Sequence, residues 1–228
     1  MTRVKICGLM NHEDVELCVN AGVHTVGFVV DYPEPVPWNL TRSEAVKLIT
    51  RVPPFVSTSV VTGGPVSKVL ETARTLRPDI VQLHYQETLR EVKELAERLN
   101  LLGIKIIKAL RIDRNGKCAF EINDPATAAR ALAGTKIAAL LVDSYTASLP
   151  GGTGVRVSLE AFASIRREIN LPVILAGGLN PANVTKAIKE TNPYAVDVLT
   201  GVEERPGHKS SYKVFRFMHS VNVANSGF

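Results

Sequence analysis

The chain has 228 residues, 45% hydrophobic and 21% charged, with 27 Lys and Arg against 22 Asp and Glu for a net charge of +5. That mix describes a soluble globular protein of one large domain or two small ones, able to bury roughly 70% of its unfolded surface without a disulfide or metal staple. No apolar run approaches the ~20 residues of a membrane span, residues 1–7 do not read as a signal peptide, and no basic block points to nucleic acid. In chain order, apolar β-branched runs of strand length recur at Val4–Ile6, Thr25–Val30, Phe55–Val61, Ile80–Leu83, Ile104–Leu110, Ile137–Val142, Pro172–Ala176 and Ala195–Leu199. Helical spacing fills the intervals. Val15, Cys18 and Gly22 share a stripe, and Thr41 with Glu44 forms a capping box ahead of Ala45, Leu48 and Ile49. Pro65 opens a helix with Val69 and Leu70 on one face, Leu89, Val92, Leu95 and Leu99 form another stripe, and Asn180-Pro181 begins a further helix.

Eight strands each followed by a helical segment predict a single α/β domain, a (β/α)8 TIM barrel over residues 1–219. Residues 220–228, polar and Gly-containing, are expected to be a flexible tail. The competing open doubly wound sheet calls for G-x-G-x-x-G after the first strand, where the chain reads Cys7-Gly8-Leu9-Met10. The three cysteines, Cys7, Cys18 and Cys118, form no C-x-x-C pair, which predicts reduced thiols and a cytoplasmic setting. The modest positive charge suits a small phosphorylated substrate, with no nucleic acid or membrane partner and a monomer or homodimer as the assembly.

A barrel places its active site where the strands end. Glycines there, Gly177-Gly178 after the seventh strand and Thr200-Gly201 after the eighth, suit backbone N–H groups approaching a phosphate, against the plainer use of a tight turn. Cys7 is either a small buried hydrophobe or a functional thiol. Asp143, an acid closing an apolar run, needs a partner or a function, and a thiol facing a carboxylate across the mouth makes an acid–base pair. Asp197 is a structural acid or a contact to a substrate hydroxyl; His84 is a core histidine or a ligand contact. No residue spacing resembles a metal site.

The segments Val4-Lys5-Ile6-Cys7-Gly8-Leu9, Val81-Gln82-Leu83-His84, Leu141-Val142-Asp143-Ser144, Gly151-Gly152-Thr153-Gly154, Ala176-Gly177-Gly178-Leu179-Asn180-Pro181 and Thr200-Gly201-Val202-Glu203 together resemble the phosphoribosylanthranilate isomerase family, in order and over nearly the whole chain. The resemblance implies a cofactor-free Amadori rearrangement in tryptophan biosynthesis. Asp143 would be the general acid that opens the furanose and Cys7 the general base at C2′. Gly177, Gly178, Thr200 and Gly201 would bind phosphate, and Gly152, Asp197 and His84 the rest of the substrate. A free thiol is mostly protonated at pH 7, so a depressed Cys7 pKa is expected, from phosphate-site dipoles or a strand-end amide. Three features depart from the family: Pro35-Val36-Pro37-Trp38 carries no Arg for the anthranilate end, Tyr85 follows His84 where Gly is usual, and Leu199-Thr200 and Val155-Arg156 replace two serines and Lys-Thr. Arg111 or Arg156 would supply the missing cation, with Trp38 stacking on the aromatic ring. The alternatives are another sugar-phosphate isomerase or epimerase, or a non-catalytic phosphometabolite-binding barrel.

Overall fold

The computed structural model describes residues 1–144 and 158–227. Its first half runs β1 (Arg3–Ile6), α1 (His12–Asn20), β2 (Thr25–Val30), α2 (Arg42–Ile49), β3 (Ser57–Thr62), α3 (Val66–Leu76), β4 (Ile80–Leu83) and α4 (Leu89–Asn100). The second half runs β5 (Lys105–Ile112), α5 (Pro125–Ala133), β6 (Ala139–Ser144), α6 (Leu159–Glu168), β7 (Val173–Leu175), α7 (Val184–Thr191), β8 (Ala195–Val198) and α8 (Ser211–Ser226). Every neighbouring strand pair is parallel, and β8 closes on β1 with Arg3 to Ile6 in register with Ala195 to Val198. Closure excludes the open sheet. Two short additions flank the barrel: Asn39–Leu40 pairs beside β2, and Glu203–Arg205 folds against His208–Lys209.

Strand alternation sorts the apolar residues into layers. Ile106 and Leu110 of β5 join the large cluster between strands and helices, whereas Ile107 and Ala109 join Leu141, Ile174 and Ala176 inside the barrel. A third cluster, built on Cys7, Val29, Tyr32, Trp38 and Val61, floors the mouth. The helices form as their stripes predict. Thr41 and Glu44 make the capping box of α2, and Thr88 with Glu91 makes a second one for α4. Val92, Leu95, Ala96 and Leu99 are buried under α4, and Arg98 pairs with Glu94 at 2.7 Å on its wet face.

Three local expectations change. Strand β3 starts at Ser57, because Phe55 has a φ of 73° and stands fully exposed; a positive φ ends an extended run whatever the residue's β propensity. Helix α7 starts at Val184, three residues past Pro181, because Asn183 first accepts from Asn180 N–H at 2.9 Å and donates to the Gly178 carbonyl at 2.8 Å. The domain boundary expected after residue 219 falls inside α8, which continues to Ser226 with Val214, Phe217, Met218, Val221 and Ala224 buried. That spacing is helical, and only the outward positions are polar. Thr2 N–H donates to Asn225 Oδ1 at 2.7 Å and Asn225 Nδ2 donates back to Thr2 O at 3.1 Å, tying the end of α8 to the start of β1. Among the described residues no helix is long and apolar enough to cross a membrane.

Candidate active site

The strand ends open into one cavity of about 740 Å³, counted to its open mouth. Cys7, Trp38, His84, Asp143 and Asp197 all line it, with Gly177, Gly178, Thr200 and Gly201 on the β7–β8 side. Residues more than a hundred positions apart thus face one space. Arg111 is not in its wall. It is buried at the end of β5, in register with Asp143 on β6. Gly152 and Arg156, with the whole Gly151–Gly154 motif, lie outside the described residues.

Asp143 is nearly buried and accepts from its neighbour's amide, Ser144 N–H, at 2.8 Å. Loss of solvent pushes its carboxyl up to about 7; Ser144 N–H opposes the shift, the Asp197 charge adds to it, and Arg111 and Lys5 oppose it. A carboxyl that titrates near neutrality can hold a proton and release it, as a general acid must. His84 stands beside it, Nε2 to Asp143 Oδ2 at 3.5 Å, with Nδ1 against Gln82 Nε2 at 3.2 Å. His84 is therefore part of the mouth rather than of the apolar core.

Cys7 departs from expectation. Burial pushes its thiol above the ordinary value; Lys5 lowers it, Asp197 raises it further, and Lys209 lowers it, leaving the net shift upward. No helix end or amide overcomes desolvation here. Lys5 is two residues earlier on the same face of β1, and its Nζ donates to Asp197 Oδ2 at 2.7 Å. Burial works against the Lys5 ammonium, but Asp197 and Cys7 outweigh it and hold the proton on. The signal for Lys5 was in the strand pattern: a lysine at the i−2 position from Cys7 in an apolar parallel strand has nowhere to point but inward.

The glycine side of the cavity is built by close approach. Gly177 has a φ of 87°, and a Cβ there would lie 3.0 Å from Ser144 N and 3.1 Å from Asp143 Oδ1. A Cβ on Gly201 would meet Leu179 O at 1.8 Å, so the β7 and β8 loops touch through bare backbone. Among the described residues no acceptor takes the N–H of Gly177 or Gly178. Exposed donors on glycines at a cavity wall suit an anion.

Trp38 is fixed by an acid from the β8 loop: its indole N–H donates to Glu203 Oε1 at 2.9 Å. The same oxygen accepts Lys209 Nζ at 2.9 Å and Gly207 N–H at 3.1 Å. Tyr32 OH donates to the His84 carbonyl at 3.0 Å, and its ring meets Tyr85 edge-on at 6.0 Å. Sequence reasoning missed Tyr32, Gln82, Glu203 and Lys209. Gln82 lay within reach of inspection, two residues before His84 on one strand; Glu203 and Lys209 carry no local signal. Among the described residues no group of three or more His, Cys, Asp or Glu could hold a metal ion.

The family model described as N-(5′-phosphoribosyl)anthranilate (PRA) isomerase matches residues 4–220. An N-(5′-phosphoribosyl)anthranilate isomerase of Geobacter metallireducens is 37% identical over 224 residues, covering 98% of this chain and all of that protein. The crystal structure of a phosphoribosylanthranilate isomerase in complex with reduced 1-(o-carboxyphenylamino)-1-deoxyribulose 5-phosphate has a TM-score of 0.76 at 30% identity, covering 98% of this chain and all of the other. Monomers generated from the dimeric phosphoribosylanthranilate isomerase of Thermotoga maritima have a TM-score of 0.77 at 27% identity, with 98% and 100% covered.

Proposed function

The chain belongs to the phosphoribosylanthranilate isomerase family, and from that membership we propose a division of labour at its cavity. The reaction is an aldose–ketose isomerisation, the Amadori rearrangement of N-(5-phosphoribosyl)anthranilate to 1-(2-carboxyphenylamino)-1-deoxyribulose 5-phosphate in tryptophan biosynthesis. Asp143 gives its proton to the furanose ring oxygen as the C1′–O bond breaks, leaving a protonated Schiff base. Cys7, as thiolate, removes the C2′ proton, and the electron pair forms the C1′–C2′ double bond of an enolamine. The enol proton then leaves the C2′ oxygen and a proton joins C1′, which gives the ketone. The observation that carries this reading is a carboxyl titrating near neutrality in the same cavity as a buried thiol.

The amides of Gly177, Gly178, Thr200 and Gly201 hold the phosphate, whose charge their donors match. Asp197 takes a substrate hydroxyl, while Trp38 and His84 flank the anthranilate end. Gly152 joins these substrate contacts. Arg111 or Arg156 supplies the cation for the anthranilate carboxylate. Arg111 ends β5 in register with Asp143, buried and outside the cavity wall, and would have to turn toward the substrate to do so. The enzyme is cytoplasmic, works on a small phosphorylated substrate, and is a monomer or homodimer, which light scattering on the purified chain will read.

Adding phosphoribosylanthranilate and following the loss of its anthranilate fluorescence tests the reaction directly. Rapid enzyme-dependent loss is expected. Unchanged fluorescence with folded protein would leave the chain a binding barrel. A crystal grown with sulfate should carry the anion at the Gly177, Gly178, Thr200 and Gly201 amides; an anion bound only elsewhere would overturn that assignment.

A further inference from the structure

A base made from a buried thiol has a difficulty that the acid does not. Removing water stabilises a neutral carboxyl, which is the form an acid needs, but it disfavours a thiolate, which is the form a base needs. The cavity must therefore supply positive charge to Cys7 from within the protein. The charged groups that face Cys7 are Lys5 from its own strand, Asp197 from β8 and Lys209 beyond it. From β2 and the loop after it come Gly27, Val29, Tyr32, Val36 and Trp38, among which Tyr32 is the one titratable group.

Lys5 is the nearest cation by construction. A Cβ at Gly27 would lie 2.9 Å from Cys7 Sγ and 3.1 Å from Lys5 Cε, so the two side chains rest on one bare glycine. Residue 27 makes room for both. Lys5 is almost fully buried, and its Nζ reaches Asp197 Oδ2 at 2.7 Å. Asp197 Oδ1 is buried with no partner among the described residues, so this carboxylate depends on Lys5. Lys209 is held at 2.9 Å by Glu203. We propose that Lys5 is a positioning residue for the isomerisation, its ammonium shared between Asp197 and Cys7 so that the thiolate forms against a fixed counter-charge.

This inference rests on the reading of Cys7 as the base, and the two can fail separately. The Cys7 thiol is titrated without substrate, from the pH dependence of its iodoacetamide alkylation followed on the Cys7 peptide, with Cys7→Ser as the blank. Lys5→Met should raise the midpoint by about one unit or more, slowing alkylation about tenfold at pH 8. Asp197→Asn should move it the other way, because Asp197 lifts the thiol. Lys5→Arg, which keeps the charge, should stay near wild type. A residue that only fills space would give no such opposite pair.

Lys5→Met strands a buried carboxylate and could unfold the barrel. The double variant Lys5→Met/Asp197→Asn strands no charge, and its midpoint should still lie above wild type, since Lys5 acts on Cys7 more strongly than Asp197 does. A midpoint at or below wild type in the folded Lys5→Met protein, or in the double variant where the single does not fold, overturns the proposal. Near-normal turnover in Cys7→Ser would overturn the base reading instead, while leaving the thiol titration intact.

Discussion

Two buried lysines in this barrel sit in matching chemistry and have their pKa values shifted in opposite directions. Lys5 on β1 has Asp197 at 2.7 Å, and Lys108 on β5 has Glu87 at 2.5 Å; all four side chains are almost without solvent contact. Yet the Lys5 pKa is raised and the Lys108 pKa is lowered. Burial works against both ammoniums, so their neighbours decide. Lys5 points into the barrel, where Cys7 adds to the pull of Asp197. Lys108 points outward, between the strand and the Tyr85–Glu87 turn, where Glu87 answers burial only in part and Arg111 adds like charge. Its Nζ also donates to Tyr85 O at 3.1 Å, so the outer pair pins the turn that follows His84. On the proposed reading the inner pair tunes the Cys7 thiol; the outer pair holds a loop.

The comparison breaks first at the proposed acid and base. Cys7→Ser and Asp143→Asn should each lower turnover by roughly two to four orders of magnitude, the size of one lost acid or base, with thermal unfolding little changed. Near-normal turnover in either variant would remove the inner cluster from the chemistry. Lys108→Met tests the outer pair, and its effect should fall on stability. Leaving Glu87 charged and buried without a partner should cost about 3–5 kcal/mol, read by urea unfolding, while turnover per folded molecule stays near wild type. Lys108→Met/Glu87→Leu should recover most of that loss.

Glu203 is the acid of a third buried lysine pair, joined to Lys209 but also to the Trp38 indole. Trp38→Phe keeps one aromatic ring but removes the indole N–H and part of the buried bicycle, at a cost of about 1–3 kcal/mol in stability for the stranded Glu203 acceptor and more for the lost volume. A Michaelis constant that rises with it would show that the latch also shapes the anthranilate end. Arg111→Ala should raise the Michaelis constant about tenfold with a smaller loss of turnover, as when binding common to ground and transition states is lost. Unchanged kinetics in both Arg111→Ala and Arg156→Ala would leave recognition to neutral donors or to Trp38.

The last effect is a profile rather than a loss. The proposed mechanism needs Asp143 protonated and Cys7 ionised, yet burial lifts the Asp143 carboxyl to about 7 and pushes the Cys7 thiol above its already higher ordinary value. Below about pH 7 both groups hold protons, so kcat/KM should climb about tenfold per unit up to that point. Above it the two protonation states exchange one proton at constant ratio, giving a plateau. Activity falls again only where Cys7 itself loses its proton to bulk water. A plateau that ends below pH 7 would contradict both shifts.

The repeat of eight βα units, the strand ends and the residue types at them were legible in the chain before any contact was known. Those follow from local periodicity, because a parallel strand buried on both faces and an amphipathic helix each announce themselves within a dozen residues. Cys7, Asp143 and the glycines after β7 and β8 were legible for that reason: each closes a strand in a fold that gathers strand ends. Gly177 shows its meaning only in part, since a turn and an anion site ask for the same residue. Tertiary structure alone decided who partners whom. Lys5 meets Asp197 across 192 residues and Trp38 meets Glu203 across 165, and neither pair leaves a mark in spacing. It also decided that Phe55 faces solvent, that residues 220–226 continue a packed helix, and that the Cys7 thiol is raised rather than depressed. The reason is common to all of these. Desolvation and charge coupling depend on distance through space, and a chain order that fixes periodicity does not contain that distance until the barrel closes.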